Sequence, residues 1–218
     1  MKVLFFGDSI TDAGRERGSL ESGRIQETYS INPKAYGSGF VFLAASQLFY
    51  DKPNYYQILN RGIGGDRLPQ LYARIQLDVW NEKPDVLSIL VGYNDVDAGT
   101  NLNYTDIDRW GRIYRMMIRD TQEKCPNTKI ILCEPFALRE TIKADEVLKY
   151  AKETQKIANE FDLPFVALQD KLDEAVKIYG AENCFYDGVH PNVVGSKVIA
   201  DAWLKVFKQE VINIQGEE

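Results

Sequence analysis

Five short runs of nearly unbroken apolar residues punctuate this chain: Lys2 to Phe6, Tyr56 to Asn60, Val86 to Val91, Lys129 to Cys133 and Pro164 to Ala167. Apolar character without polar alternation is the mark of parallel strands covered on both faces. Lys83-Pro84-Asp85 introduces the third run and Glu134-Pro135 ends the fourth. Between the runs the apolar positions switch to helical spacing. Phe40 to Phe49 is one such stretch. Leu68 to Trp80 is another, with Leu68, Leu71, Tyr72, Ile75 and Val79 on one face. Ile107 to Lys124 is a third, with Trp110, Ile113, Tyr114, Met117 and Ile118 aligned. Lys143 to Phe161, Gln169 to Ile178 and Asn192 to Phe207 complete the set. Repeated β-α order predicts a three-layer α/β/α sandwich on a five-stranded parallel sheet, in the flavodoxin-like order 2-1-3-4-5. Its crossovers should be right-handed. The segment Asp12 to Lys34 is polar and irregular, as a functional lid or a partner contact is. Gln215 to Glu218 is expected to fray. With no internal repeat and no low-complexity linker, 1–218 reads as a single domain.

Composition narrows the function classes. The formal net charge is -6, and the acidic excess is spread along the chain. That disfavours nucleic acid, which calls for a basic patch, and an anionic membrane surface. No stretch approaches the ~20 apolar residues of a membrane span. The first apolar run is too short for a secretion signal, so a cytoplasmic location is expected. A homo-oligomer is the common default for such a protein. The three cysteines, Cys125, Cys133 and Cys184, form no disulfide framework. With one histidine in the chain, neither a zinc cluster nor any other metal site is expected.

In an open parallel sheet, ligands bind beyond the carboxyl ends of the strands. Gly7-Asp8-Ser9 follows the first strand, Asn60 to Asp66 the second, and Gly92-Tyr93-Asn94-Asp95 the third. Asp187-Gly188-Val189-His190-Pro191 lies near the end of the chain. His190 is the only imidazole, hence the only neutral-pH base of that type available to a hydroxyl nucleophile. Asp187 lies three residues before it, a spacing that lets a tight turn bring carboxylate to Nδ1-H. A solvated loop histidine held by a local carboxylate fits the same pattern. Ser9 reads as a helix N-cap or as a nucleophile whose own N-H faces a developing oxyanion. Gly64-Gly65 reads as a plain turn or as an exposed N-H donor, with Gly65 the candidate. Asn94 reads as a cap or as a side-chain oxyanion donor. Asp8 is expected to anchor its turn, and Asp95 to support the Asn94 loop.

Taken in order, these four segments resemble the blocks of the SGNH hydrolases, the GDSL esterase/lipase family. Gly7-Asp8-Ser9 is similar to the first block, Asn60 to Gly65 to the second, Gly92 to Asp95 to the third, and Asp187 to Pro191 to the last. Ile10 stands where the family often has Leu. The resemblance implies a triad of Ser9, His190 and Asp187. It also implies an oxyanion hole of the Ser9 and Gly65 N-H groups with the Asn94 side chain, and no cofactor.

Within the family the chain most resembles bacterial carbohydrate acetylesterases, acetylxylan-type enzymes included. The residues concerned are Leu4 to Asp12, Asn60 to Gly65, Lys83 to Asp85 and Gly92 to Val96. The resemblance implies a small ester substrate, an acetylated sugar. Tyr93 and Tyr186 flank the candidate site and could stack on a sugar ring, although packing explains them equally well. Competing readings are a lysophospholipase, a general short-chain carboxylesterase, and an inactive sugar-binding relative. A haloacid-dehalogenase phosphatase needs a second Asp where Ile10 stands. A dinucleotide site needs a glycine where Arg67 stands.

Overall fold

The apolar runs pair as expected from their lack of alternation. The computed structural model describes residues 1–17, 32–96 and 104–212. Most of the polar segment after Asp12 and the C-terminal 215–218 lie outside the described residues. The strands are β1 (Lys2–Gly7), β2 (Gln57–Gly62), β3 (Val86–Leu90), β4 (Lys129–Cys133) and β5 (Phe165–Val166). They form one parallel sheet in the order β2-β1-β3-β4-β5. The register pairs Gly7 with Gly62 and with Leu90, so three strands end at one level.

Two-residue periodicity sends alternate side chains of each strand into two separate cores. Val3 and Phe5 of β1 join Ile58, Val86 and Ile131 on one face. Leu4 and Phe6 join Leu59, Leu87 and Leu132 on the other. The helices are α1 (Ser9–Asp12), α2 (Phe40–Asp51), α3 (Leu68–Ile75), α4 (Ile107–Lys124), α5 (Ala144–Glu160), α6 (Gln169–Tyr179), α7 (Ala181–Cys184) and α8 (Val193–Val206). α2, α6 and α8 cover the first face, and α3, α4 and α5 the second. Trp203 of α8 packs on Phe5 with ring centroids 4.7 Å apart, and its indole N-H donates to Ser88 Oγ at 2.9 Å. Such an acceptor offsets the cost of taking the indole N-H out of water.

Several details depart from the pattern reading. β1 and β2 run on to Gly7 and Gly62, beyond the last large apolar residue. The stretch Leu68 to Trp80 divides, because α3 stops at Ile75 and a wider π-turn carries Gln76–Trp80. α8 likewise continues as a π-turn, Phe207–Val211. The segment from Asp12 to Lys34 is not irregular at its ends. Asp12 closes α1, and Pro33–Tyr36 forms a 3-10 turn begun by Asn32, whose side chain accepts from Lys34 N-H. The three cysteines are buried free thiols. Among the described residues, no helix is long and apolar enough to cross a membrane.

Candidate active site

Gly7 ends β1 where no side chain fits. A Cβ there would lie 2.4 Å from the Leu90 carbonyl oxygen and 2.3 Å from Thr11 Oγ1. The chain then turns at Asp8, whose carboxylate accepts the Ile10 N-H at 3.0 Å and caps α1. That cap makes Ser9 the first residue of a four-residue helix. Its N-H donates to no acceptor among the described residues.

The segment between α7 and α8 is closed by an antiparallel bridge between Phe185 and Pro191 and by Tyr186 N-H donating to His190 O at 3.1 Å. Inside this closure Asp187 Oδ1 accepts the N-H groups of Val189 (2.9 Å) and His190 (2.7 Å). Its Oδ2 lies 2.6 Å from His190 Nδ1. Burial pushes the Asp187 carboxyl up, but the His190 backbone N-H, the imidazole and Val189 N-H outweigh it, and the pKa is lowered overall. An ionised carboxylate accepts only, so Nδ1 carries a proton, and in the neutral imidazole Nε2 keeps its lone pair. Nε2 lies 2.8 Å from Ser9 Oγ, 181 residues away along the chain, and accepts its hydroxyl proton. Two loops from opposite ends of the sequence thus make one hydrogen-bonded relay.

Gly64 approaches this relay from the β2 end, where a Cβ on it would lie 3.8 Å from Ser9 Cβ, and Gly65 follows it. The Gly64 N-H is committed to the Asp12 carboxylate at 3.1 Å, whereas the Gly65 N-H has no acceptor among the described residues. Gly65 has φ +82°, a left-handed conformation that favours glycine. Asn94 lies in a 3-10 turn, Tyr93–Asp95. Its Nδ2 donates to Asp66 O at 3.1 Å and lies 3.4 Å from Asp8 Oδ2. The second contact is long and weak, so that N-H can turn to a stronger acceptor. Asp95 is fully buried and accepts the Leu68 N-H at 3.2 and 3.1 Å, tying the Asn94 turn to the start of α3.

Tyr93 and Tyr186 part company. The Tyr93 ring is only 9% exposed and belongs to the α3–α5 core, with Lys143 Nζ 4.9 Å from its centroid. Its ring therefore packs within that core. Tyr186 is 69% exposed and stacks on the His190 imidazole at 5.5 Å and 14°. A cavity of about 500 Å³ opens between Ser9, Ile10, Ser38, Phe40, Tyr186 and Ile199.

Asp12, Asn60 and Arg74 went unassigned in the sequence. Asp12 holds Gly64 and forms an ion pair with Arg17. Asn60 donates to Thr11 O (2.7 Å) and Tyr36 O (2.9 Å) while accepting Gly62 N-H (2.9 Å), which locks α1 to the end of β2. Only the Arg74–Asp78 spacing of i,i+4 offered a local signal.

Burial pushes the Asp8 carboxyl up to about 7; the Ile10 N-H opposes this, while Asp95 and Asp66 add to it. Burial likewise raises Asp95 to about 6. Because the folded pKa of Asp8 lies above its ordinary value, the folded state holds a proton that the unfolded chain has released. Stability from this group is complete below pH ~4 and is lost as pH rises through about 7. In Asp8→Asn this loss should vanish. Relative to the parent, the variant should gain roughly 2–4 kcal/mol between pH 5 and pH 8.5 in urea melts. A pH-independent difference would contradict this account.

Comparison with known proteins agrees with the geometry. Residues 5–198 match the model of the GDSL-like Lipase/Acylhydrolase family. The chain is 32% identical to an acetylxylan esterase of Geobacillus stearothermophilus over 215 residues, covering 94% of this chain and 92% of the relative. The crystal structure of an acetylxylan esterase from that organism, Axe2, superposes with a TM-score of 0.82 at 30% identity, over 94% of this chain and 93% of that one. A protein of Parabacteroides merdae described as a GDSL-like lipase superposes with a TM-score of 0.84 at 36% identity, over 94% of each chain.

Proposed function

Because this chain belongs to the GDSL-like lipase/acylhydrolase family and is a carboxylic ester hydrolase, we propose that it removes acetyl groups from sugars through a Ser9-His190-Asp187 triad. The observation that carries the reading is the continuous contact from Asp187 Oδ2 through the imidazole to Ser9 Oγ, 2.6 and 2.8 Å.

His190 Nε2 takes the Ser9 proton as Oγ attacks the ester carbonyl. The oxyanion is held by the N-H groups of Ser9 and Gly65 and by Asn94 Nδ2, which leaves its long contact with Asp8 for the charged acceptor. The imidazolium, stabilised by Asp187, then protonates the leaving alkoxide and an acyl-Ser9 remains. Water repeats the sequence and releases the acid.

The sugar assignment rests on the cavity and on the relatives. Asp12, Ser38 and Ser196 line the cavity beside Ile10, Phe40 and Ile199. That mixture suits a small acyl group on a polar alcohol better than a long acyl chain. The exposed Tyr186 ring offers the aromatic face for a sugar. A second reading, a lysophospholipase or general carboxylesterase, is favoured by one observation. An apolar hollow of about 390 Å³, lined by Pro33, Phe42, Leu43 and Val193, shares Ser38 with the cavity.

Hydrolysis of p-nitrophenyl acetate, butyrate and octanoate separates the two. On the acetyl reading kcat/KM falls with chain length, and NMR shows acetate released from acetylated xylo-oligosaccharides. If octanoate is the best substrate, the sugar assignment fails and the lipid reading replaces it.

A further inference from the structure

Two of the three loops that carry the proposed oxyanion donors are joined by one guanidinium. Arg74, on α3, donates from Nε to Asp66 Oδ2 at 2.7 Å and from Nη2 to Gly7 O at 3.1 Å. Its Nη1 donates to Arg61 O at 2.9 Å and Asp78 Oδ2 at 2.5 Å. The group also lies 4.4 Å above the Phe6 ring. Arg74, Asp66 and Asp78 side chains are only 16%, 12% and 11% exposed, so water competes weakly for these bonds.

Each acceptor has a structural consequence. Gly7 immediately precedes Asp8-Ser9. Its carbonyl also accepts the Ile63 N-H at 3.1 Å, which starts the turn bearing Gly64-Gly65. Asp66 ends that turn: its N-H returns to Ile63 O at 3.2 Å, and its carbonyl holds Asn94 Nδ2 at 3.1 Å. The Arg74 guanidinium therefore grips the segment before Ser9, the last residue of β2 but one, and the residue between Gly65 and Asn94. Four of its five N-H groups are used in a planar fork that an ammonium cannot copy.

We propose that Arg74 is the positioning residue of the oxyanion hole. Through Gly7 and Asp66 it sets the spacing between Ser9 N-H, Gly65 N-H and Asn94 Nδ2. The proposal rests on the serine-esterase reading above and assigns Arg74 no contact with substrate. Donors misplaced by a fraction of an ångström bind the tetrahedral oxyanion less well and the ground-state ester almost unchanged, so the loss belongs in kcat.

The test compares Arg74→Lys, Asp66→Asn and Asp78→Asn with the parent. It reads kcat and KM on p-nitrophenyl acetate, the Ki of a trifluoromethyl ketone, and Tm. The ketone forms a Ser9 hemiketal whose oxyanion needs the same donors. Arg74→Lys and Asp66→Asn should lower kcat by about 10- to 100-fold with KM within about threefold, and weaken the ketone in proportion. Asp78→Asn disturbs the same guanidinium but adjoins neither donor loop. It should lower Tm comparably while keeping kcat within about twofold. Unchanged kcat in Arg74→Lys and Asp66→Asn, or an equal fall in Asp78→Asn, overturns the proposal and leaves Arg74 a stabilising residue alone. If Arg74→Lys does not fold, the Asp66→Asn and Asp78→Asn pair decides. Fluorophosphonate labelling of the parent, run first, isolates the underlying reading. No adduct on Ser9 sinks that reading and this proposal together; an adduct with unaltered variants sinks only the proposal.

Discussion

Ser9→Ala is expected to abolish turnover, with kcat on p-nitrophenyl acetate falling by at least ~10⁴-fold, while the protein remains folded. The fold survives because, among the described residues, Ser9 Oγ makes one polar contact, to His190 Nε2 at 2.8 Å, and caps nothing. The α1 cap belongs to Asp8. The hydroxyl is nonetheless the only group placed to form the acyl bond, since no other nucleophile faces the imidazole among the described residues. Intact mass after fluorophosphonate treatment gives the second readout. The parent should gain one adduct, mapped to Ser9, and Ser9→Ala none. Turnover persisting in Ser9→Ala would remove the serine from the mechanism.

Asn94→Ala should produce the next largest loss, about 10²- to 10³-fold in kcat with little change in KM, the effect of deleting one preorganised donor to the oxyanion. The size follows from when the bond is strong. In the resting enzyme Asn94 Nδ2 spends one hydrogen on Asp66 O and the other on a 3.4 Å contact with Asp8. A full negative charge on the substrate oxygen is a better acceptor than either, so the contribution appears in the transition state and hardly in substrate binding. Asn94→Asp should be at least as damaging, since it adds a carboxylate beside Asp8, Asp66 and Asp95. Steady-state kinetics on acetate esters checks both variants. A rise in KM with unchanged kcat would make Asn94 a binding residue.

The strands were legible because their signal is local. β4 has the bounds that its apolar run predicts, and β3 differs by one residue. β1 and β2 extend onto Gly7 and Gly62, which carry no hydrophobic signal; pairing with neighbouring strands decides those residues. The π-turns at Gln76–Trp80 and Phe207–Val211 were invisible for a similar reason, since a local widening of the helix leaves the apolar spacing almost intact. Tyr93 shows the limit at the site. It sits next to Asn94 in sequence, yet the 3-10 turn points its ring into the α3–α5 core, and adjacency along the chain does not reveal which way a side chain faces.

Taken by itself, the sequence determined the kind of sheet and the small set of residue types able to do ester chemistry. Continuous apolar runs, helical periodicity and a solitary histidine are all properties of the chain read one segment at a time. Tertiary structure alone decided which groups meet. The 2.8 Å separation of Ser9 and His190 spans 181 residues, and the Arg74 fork reaches two carbonyls that have no side-chain identity to read. It also decided that Gly64 spends its N-H on Asp12 while Gly65 keeps its own free of any described acceptor. The physical reason is that hydrogen-bond geometry falls off within fractions of an ångström. Such distances are set by how the packed sheet ends align, and no local stretch of sequence encodes that alignment.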